Sequence, residues 1–212
     1  MIGPSSSHTA GAVRIGNVAR RLLGDEVAEA EIILMGSFAE TGKGHGTDKA
    51  LLAGLMGYLP DDESIKEAYT LADKRALRYH FAYQKERGSH PNSTRLLLKS
   101  KNGHQLKLLG ESLGGGKINI AEIDGIKVNF SGEYNTLIIH NLDVPGHVVL
   151  VSSKLVEKGI NIANMQLFRN KELGFAVMII ECDQRIDPQI AEKLAENKGI
   201  LKVTIFNKED HE

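Results

Sequence analysis

A run of hydroxyl-bearing residues followed by a histidine opens the sequence. Ser5, Ser6 and Ser7 precede His8 and Thr9, and an apolar segment with helical spacing follows directly. A helix N-terminus presents free backbone N–H groups and the positive end of the helix dipole, and hydroxyls placed there can bind a carboxylate or a phosphate. Histidine adds a side chain that exchanges a proton near neutral pH. These residues predict a site for a small anionic substrate, with His8 as a group for acid–base chemistry.

The same hydroxyls have a simpler use as helix caps. A single serine or threonine before a helix usually caps it. The helix that follows carries Val13, Val18 and Leu22 on one face, and Gly24 stands where a helix would end. Three consecutive serines before His8 exceed what a cap needs. Binding is therefore the favoured interpretation, with capping as the alternative.

A second group of candidate residues follows a short apolar run at 31–36, which predicts a buried strand closed by glycine. The next segment, 41–48, has alternating glycines ahead of another helical pattern. A strand, a glycine loop and a helix let backbone amides approach an anion closely. The segment lacks the spacing of a P-loop or a dinucleotide fingerprint, and a flexible turn capped by Thr47 or Asp48 is the alternative. The candidates in it are Thr41, Gly42, His45 and Asp48.

A histidine before a proline gives the third group. Pro91 favours extended geometry at His90, and Asn92 and Ser93 favour a turn. A lone histidine in such a loop is more often an ordinary surface residue. The chemistry of this loop alone therefore does not indicate a functional role for His90 or Asn92.

Together the three segments resemble the beta subunit of bacterial iron–sulfur-dependent L-serine dehydratase. The similar stretches are Met-Ile-Gly-Pro-Ser-Ser-Ser-His-Thr-Ala-Gly, Thr-Gly-Lys-Gly-His-Gly-Thr-Asp and His-Pro-Asn. In that family a few residues usually precede the first motif, and this sequence begins without them. The resemblance implies a subunit that, with an alpha subunit, converts L-serine to pyruvate and ammonia. It also implies substrate-facing roles for Ser5, Ser6, Ser7, Thr9, Thr41, Gly42, His45, Asp48, His90 and Asn92, with His8 as the candidate catalytic residue.

The resemblance also implies a four-iron four-sulfur cluster that acts as a Lewis acid. Cys182 is the only cysteine, whereas a cluster normally takes several thiolates. It lies in the apolar run 177–182, which predicts a buried and inert thiol. We therefore expect the cluster on the alpha subunit and none bound by this chain alone.

The second half of the sequence is rich in strand patterns. Asn-Gly at 102–103 and Asp-Gly at 124–125 predict hairpins with type I′ turns, and residues 131–134 predict a linker. The pattern then becomes strand, helix, strand, strand, helix, strand, which predicts a four-stranded antiparallel sheet with two helices on one face, the ferredoxin-like plan. The fold class is α+β. We expect a substrate-binding-like domain over 1–133, similar to the allosteric substrate-binding domain of some phosphoglycerate dehydrogenases, and a second domain over 135–212.

The second domain resembles an ACT domain, a small amino-acid-binding module that often pairs with a copy of itself. The resemblance rests on Asp-Val-Pro-Gly at 143–146 and Lys-Gly-Ile-Asn-Ile-Ala-Asn at 158–164. It implies self-association and a regulatory ligand at Asp143 and Asn161. Asn161 matches a ligand-contacting position of serine-sensing ACT domains, whereas Asp143 stands where they carry asparagine, which leaves the effector open. A purely structural βαββαβ domain is the alternative.

Composition limits the possible partners. A chain of 212 residues holds one large domain or two small ones, and its net charge of −1 gives no electrostatic basis for binding nucleic acid or an anionic membrane. It contains neither a membrane-length apolar run nor a signal-peptide pattern, so we expect a cytoplasmic protein. A non-catalytic sensor fits the same features: the regulatory part of a phosphoglycerate dehydrogenase, or a free amino-acid-binding module. A neighbouring gene for a cysteine-containing alpha subunit would favour the dehydratase.

Overall fold

The chain forms two units of mixed α and β structure, each with its own sheet. The computed structural model describes residues 9–84, 90–172 and 174–208, and at 41 and 43–45 it describes the backbone alone. Contacts divide the chain into units Met1–Ser131 and Gly132–Glu212. Within the described ranges, no helix combines the length and the apolar character that crossing a membrane requires.

The first unit contains, in chain order, α1 (Ala10–Leu23), β1 (Val27–Gly36), α2 (Ser37–His45), α3 (Thr47–Leu55), a 3₁₀ turn (Glu63–Glu67), α4 (Ala68–Lys74), β2 (Arg78–Gln84), β3 (Asn92–Ser100), β4 (Gln105–Gly114), β5 (Lys117–Ile123) and β6 (Ile126–Phe130). The second contains β7 (Asn135–Leu142), α5 (His147–Glu157), β8 (Ile162–Asn170), β9 (Phe175–Cys182), α6 (Pro188–Ala195) and β10 (Ile200–Phe206).

The first unit has a six-stranded sheet in the order β2-β1-β3-β4-β5-β6. β1 pairs with β2 in parallel and with β3 antiparallel. Along β1, Ala30, Ile32 and Leu34 are buried on one face, whereas Glu29 and Glu31 lie on the other. The strand therefore begins four residues before the predicted 31–36. The acidic residues on the outer face interrupt the apolar run, so the run alone predicted only the last six residues of the strand.

Helices α1 and α3 cross with their backbones in contact. A Cβ atom on Gly54 would lie 2.2 Å from the carbonyl oxygen of Val13, and one on Gly16 would lie 2.5 Å from that of Leu51. Such distances leave no room for any side chain at the crossing. α1 is also seated on the sheet, because a Cβ on Gly110 of β4 would meet the side chain of Ile15 at 2.5 Å. These contacts fix α1, and with it the start of the helix.

The prediction of a glycine loop at 41–48 is wrong. α2 continues to His45, so Gly42 is helical, and only Gly46, with φ at 71°, interrupts the chain before α3. The helix persists because its inner face packs on the sheet: Phe38 is fully buried, and Gly42 lies so close to Leu34 that a Cβ would be 2.9 Å from its Cδ1. Tertiary packing here outweighs the weak helix propensity of glycine.

Both predicted hairpins form, with different turns. β3 pairs with β4 and β5 with β6, as the sequence indicated. Asp124 and Gly125 have φ values of 50° and 84°, the two positive angles that a type I′ turn needs. At the other turn only Gly103 has positive φ, at 85°, so the predicted type I′ turn at Asn102 is wrong.

The second unit follows the predicted ferredoxin-like plan, and the α+β fold class is confirmed. Its strands lie in the order β10-β7-β9-β8, and every pair is antiparallel. One face of the sheet meets both helices in a single apolar core. The residues of this core on the central strands and helices are Leu137, Ile139, Met178, Ile180, Val151, Leu155, Ile190 and Leu194.

Candidate active site

Residues from the first and third sequence segments lie at one end of the six-stranded sheet, and the helix that leads to the second segment begins there. β1 ends there at Gly36, opposite Asn92 at the start of β3. α2 begins directly after Gly36. The first turn of α1 packs on β4 at the same end, since a Cβ on Gly11 would lie 2.0 Å from the Oγ of Ser112. Only β3 separates β1 from β4, so the two strands next to which α1 and α2 begin are about 10 Å apart.

Thr9 occupies the N-cap position of α1. Its carbonyl oxygen accepts a hydrogen bond from the Val13 N–H at 2.9 Å, but its side chain makes no cap bond. The Oγ1 atom is buried and has no hydrogen-bond partner among the described residues. The N-cap position thus belongs to Thr9 rather than to a serine, and the predicted site residues Ser5–Ser7 and His8 lie outside the described residues. A buried hydroxyl beside a helix N-terminus is well placed to donate to an anion.

The segment around His90 is fixed against the start of α2. The Ser37 N–H donates to the carbonyl oxygen of Pro91 at 2.7 Å. Gly36 has φ at 57°, and a Cβ there would lie 2.4 Å from the same oxygen, so this close approach requires glycine. The backbone N–H of Asn92 donates to His90 Nδ1 at 3.2 Å, which leaves the proton of a neutral ring on Nε2.

Asn92 adds an acceptor at the same place. Its Oδ1 is buried and has no hydrogen-bond partner among the residues described. Buried amide oxygens are rarely left without a donor. Thr9 and Asn92 therefore each bring a buried polar atom to this end of the sheet, one a donor and the other an acceptor.

Asp48 is held in one orientation at the start of α3. The side chain is 5% exposed. Its Oδ1 accepts from the Lys49 N–H at 2.8 Å, and its Oδ2 accepts from the Tyr69 hydroxyl at 2.5 Å. Burial, and then the bond to Asp48, raise the pKa of Tyr69, so the phenol remains a donor at neutral pH. The arrangement provides a fixed carboxylate rather than a solvated surface charge.

We expect Tyr69→Phe to lower the free energy of unfolding by about 1–3 kcal/mol, because one buried oxygen of Asp48 loses its donor. The ring contacts with Tyr79 and Phe81, at centroid distances of 5.8 and 6.4 Å, remain possible for phenylalanine. Urea denaturation measures the difference. Tyr79→Phe is the matched control, since no hydrogen bond of the Tyr79 hydroxyl occurs within the described residues.

The pH dependence of this effect follows from the raised pKa of Tyr69. The folded chain favours the protonated phenol, so its stabilising contribution is complete below the ordinary tyrosine pKa of about 10 and declines as the pH rises past it. The gap between wild type and Tyr69→Phe should thus be constant near neutral pH and shrink in strong alkali. Equal stability of the two proteins at pH 7 would contradict the role given to Tyr69.

Gly42 and Asp48 meet around Tyr83, whereas His90 and Asn92 lie at the other end of α2. A Cβ on Gly42 would be 3.8 Å from Tyr83 Cε1. Burial, and then the charge of Asp48, raise the pKa of Tyr83. α2 has nine residues, so its two ends are about 13 Å apart. Two further predicted residues of α2 have no described side chain, namely Thr41 and His45.

The predicted regulatory residues lie at opposite ends of the sheet in the second unit. Asp143 follows β7 and accepts two hydrogen bonds from Arg169 Nε, at 2.9 and 3.0 Å. Asn161 precedes β8, and its side-chain amide donates to Asp183 Oδ2 at 2.6 Å. β7 spans eight residues, or roughly 25 Å. A single copy of the chain therefore does not bring Asp143 and Asn161 together.

The sequence did not indicate a role for two polar residues near the candidate site. Tyr69 lies beside the apolar stripe of α4, and nothing local indicates that it bonds to Asp48. Glu111, on the outer face of β4, is only 6% exposed and accepts from the Asn119 side-chain amide at 3.1 Å. Its neighbours along the strand on that face are Leu109 and Leu113, and nothing in this pattern indicates a buried, hydrogen-bonded carboxylate. Contacts between distant segments determine both positions.

The described part of the chain was also compared with what a metal ion requires of its ligands. Among the residues described, no group of three or more His, Cys, Asp or Glu side chains is placed to hold a metal ion. Cys182 is buried, and burial followed by the charge of Asp183 raises the pKa of its thiol to about 11. Metal ligation needs the thiolate form. The described residues therefore do not fit an iron–sulfur cluster.

Comparison with known proteins assigns the chain to a family. The family model described as serine dehydratase beta chain matches residues 1–122. The chain belongs to that family. The probable L-serine dehydratase beta chain of Bacillus subtilis is 41% identical over 205 residues, which cover 96% of this chain and 92% of that protein. The L-serine dehydratase beta chain of Peptoniphilus asaccharolyticus is 40% identical over 185 residues, 87% of this chain and 83% of that one.

This member of the serine dehydratase beta chain family also resembles a dehydrogenase. The D-3-phosphoglycerate dehydrogenase of Methanocaldococcus jannaschii is 27% identical over 194 residues, which cover 91% of this chain but 36% of the dehydrogenase. Both functions considered from the sequence thus have a counterpart among the relatives. Identity is higher, and coverage of the relative more complete, for the dehydratase beta chains.

Proposed function

We propose that this chain is the beta subunit of an L-serine dehydratase, a lyase that converts L-serine to pyruvate and ammonia together with an alpha subunit. The observation that carries the proposal is the 41% identity over 205 residues to a protein named as such a beta chain. The regulatory alternative has weaker support, since the related dehydrogenase is 27% identical and this chain spans only 36% of it.

The reaction removes the α-proton and the β-hydroxyl of serine as water, which leaves an enamine. Its imine tautomer takes up water and releases ammonia, so the overall products are pyruvate and ammonia. In our proposal this chain binds and orients the substrate. The first turn of α1 and the Thr9 hydroxyl receive the carboxylate, and Asn92 Oδ1 accepts a hydrogen bond from the substrate ammonium group.

The remaining candidates complete this pocket. His90 Nε2 is a donor near Asn92. The fixed carboxylate of Asp48 lies near Tyr83, toward the other end of α2, and in our proposal it extends the substrate-facing surface in that direction. We assign Ser5–Ser7 to the same pocket and the proton-transfer role to His8. We assign the four-iron four-sulfur cluster to the alpha subunit, and this chain lines the opposite wall. No cluster chemistry is assigned to the residues of this chain.

A reconstitution experiment tests the proposal. The chain should be co-expressed with a cysteine-containing alpha subunit, purified without oxygen and assayed for pyruvate formation from L-serine. We expect turnover only when both subunits are present, and no cluster on this chain alone after treatment with iron and sulfide. A cluster-loaded complex that binds serine without deaminating it would favour the regulatory alternative. Stoichiometric iron on the isolated chain would refute the assignment of the cluster to the alpha subunit.

We further propose that the second unit is an ACT-like regulatory domain that self-associates. Asp143 and Asn161 lie at opposite ends of one sheet, so a ligand that contacts both needs two copies of the unit. An apolar surface is available for pairing: on α5, Val149 and Val156 lie two turns apart and are 67% and 72% exposed. A contiguous exposed apolar patch commonly marks an interface, and in our proposal these two valines belong to one.

Sedimentation velocity on the full chain tests this self-association. We expect a dimer at micromolar concentration and a monomer when Val149 and Val156 are both replaced by glutamate. Leu59→Glu is the matched control, because Leu59 is an exposed apolar residue of the first unit, at 45%. The pairing would be contradicted if the wild-type chain stayed monomeric. It would also be contradicted if the fragment 132–212 were monomeric.

A further inference from the structure

A basic cavity lies at the end of the six-stranded sheet opposite the candidate active site. Its volume is about 290 Å³, and its walls are formed where α1 ends, β1 begins and β3 turns into β4. β1 runs ten residues from this end to Gly36, or roughly 30 Å. The charged residues of the lining are Arg20, Glu26, Arg75 and Lys101.

Positive charge dominates this cavity. Three cationic side chains and one carboxylate give the lining a net charge of +2. Glu26 forms its ion pair with Lys101, and both side chains are more than half exposed. The nearby Asp25 carboxylate bonds to backbone donors: it accepts hydrogen bonds from the N–H groups of Glu26 and Asn102 at 2.7 and 3.2 Å. No carboxylate within the described residues forms an ion pair with either guanidinium.

Arg75 is fixed in place by neutral partners. Its Nη1 donates to the Met56 carbonyl oxygen at 2.7 Å and its Nη2 to the Tyr58 hydroxyl at 3.1 Å. The guanidinium also lies over the Tyr58 ring, with 5.0 Å from Cζ to the ring centroid. These contacts use two of the five N–H donors of the side chain. A guanidinium that is already ordered loses little conformational entropy when it binds an anion.

Arg20 has no such partners. Its guanidinium lies beside Gly57, where φ is 91° and a Cβ would be 3.4 Å from Cζ. Within the described residues no hydrogen bond or ion pair engages its guanidinium, and the Glu26 carboxylate interacts with it only through its charge. Its full set of N–H donors is therefore available to a ligand.

We propose that this cavity binds a small dianion of the phosphate or phosphate-monoester class. Planar guanidinium groups match the oxygens of phosphate in pairs, and the ammonium of Lys101 adds a point charge. Leu55 and Leu77 provide an apolar wall for the carbon part of a monoester. The volume is near the lower end of small-molecule sites, about 300–1,000 Å³. The site is distinct from the proposed serine pocket, which lies at the far end of β1.

Calorimetric titration of the full chain with inorganic phosphate tests the site. We expect saturable binding that weakens at least about tenfold in Arg20→Gln, because charge-assisted hydrogen bonds are lost. Arg20→Gln leaves no described acceptor without its donor, so the fold should be intact. Lys74→Gln is the matched control: Lys74 precedes Arg75, is exposed and does not line the cavity. Arg75→Gln should weaken binding as well, with its melting temperature measured alongside.

Amide resonances locate the bound ion. Phosphate should shift the signals of Gly57 and Lys101 with the same affinity that calorimetry gives. Shifts confined to the first turn of α1 would place the ion in the other anion site and overturn the proposal. The absence of saturable binding, or equal weakening in Lys74→Gln, would overturn it too. Succinate serves as a dicarboxylate of equal charge, and tighter binding of succinate than of phosphate would overturn the phosphate assignment.

Discussion

Gly54→Ala should lower the free energy of unfolding, although alanine is the better helix former. Helix propensity alone predicts a gain of about 1 kcal/mol for this change inside α3. The new Cβ, however, would lie 2.2 Å from the Val13 carbonyl oxygen and 3.0 Å from the Asn17 backbone nitrogen. Both atoms belong to the backbone of α1, so α1 itself must move. Overpacking against a backbone that must move costs toward the upper end of about 1–3 kcal/mol, so after the gain in helix propensity we expect a net loss of about 1–2 kcal/mol.

The same substitution should also reduce turnover in the complex, since α1 carries Thr9 and the opening motif. Urea denaturation and serine deamination measure the two effects. Gly42→Ala is the stability control, because it is helical too but its Cβ would meet only side-chain atoms, 2.9 Å from Leu34 Cδ1. Leu34 can adjust its rotamer, so this change should be nearly neutral in stability. A Gly54→Ala chain more stable than wild type would contradict the close crossing of α1 and α3.

Local patterns predicted the parts of the fold that local interactions determine. α1 ends at Gly24, which adopts the left-handed conformation with φ at 79°. The hairpin at Asp124-Gly125 and the strand–helix order of the second unit also follow from short-range signals. Each depends on residues within a few positions of one another, which a single sequence displays.

The same reasoning failed where a distant segment decides the conformation. The sequence around Gly42 predicted a loop, yet packing against Leu34 of β1 stabilises a helix there. Asn102-Gly103 has the composition of a type I′ turn, yet only Gly103 adopts positive φ. In this turn the Asn102 N–H donates to Asp25, which lies two residues before β1. Neither contact is visible in the residues that form the turn or the loop.

The sequence motifs indicated which residues are candidates for the site, but they did not indicate which of these residues contact one another. Asp48 stands in a motif, but its partner Tyr69 is 21 residues away and stands in none. Asp143 and Asn161 belong to one resemblance, yet they lie at opposite ends of the sheet. A resemblance identifies which residue types a family retains, whereas the pairing of strands and helices decides which of them meet.

His8→Ala should reduce turnover of the reconstituted complex about a hundredfold or more, if His8 transfers a proton in the reaction. α1 begins at Ala10 with Thr9 at its N-cap, so residue 8 precedes the helix. We therefore expect the melting temperature of the isolated chain to stay the same. A fall in kcat identifies proton transfer, whereas a rise in KM with little change in kcat identifies a hydrogen bond to bound serine.

Thr9→Ala and a Ser5–Ser7 triple alanine variant complete this test of the opening motif. A side chain that caps a helix stabilises it by about 1 kcal/mol, but the Thr9 hydroxyl makes no cap bond. Thr9→Ala should thus leave stability nearly unchanged and weaken serine binding, because its hydroxyl faces the substrate in our proposal. If His8→Ala, Thr9→Ala and the triple variant all show normal kinetics, the opening motif does not face the substrate. The pocket would then have to be built from α2 and the His90–Asn92 segment, and the acid–base group would lie on the alpha subunit.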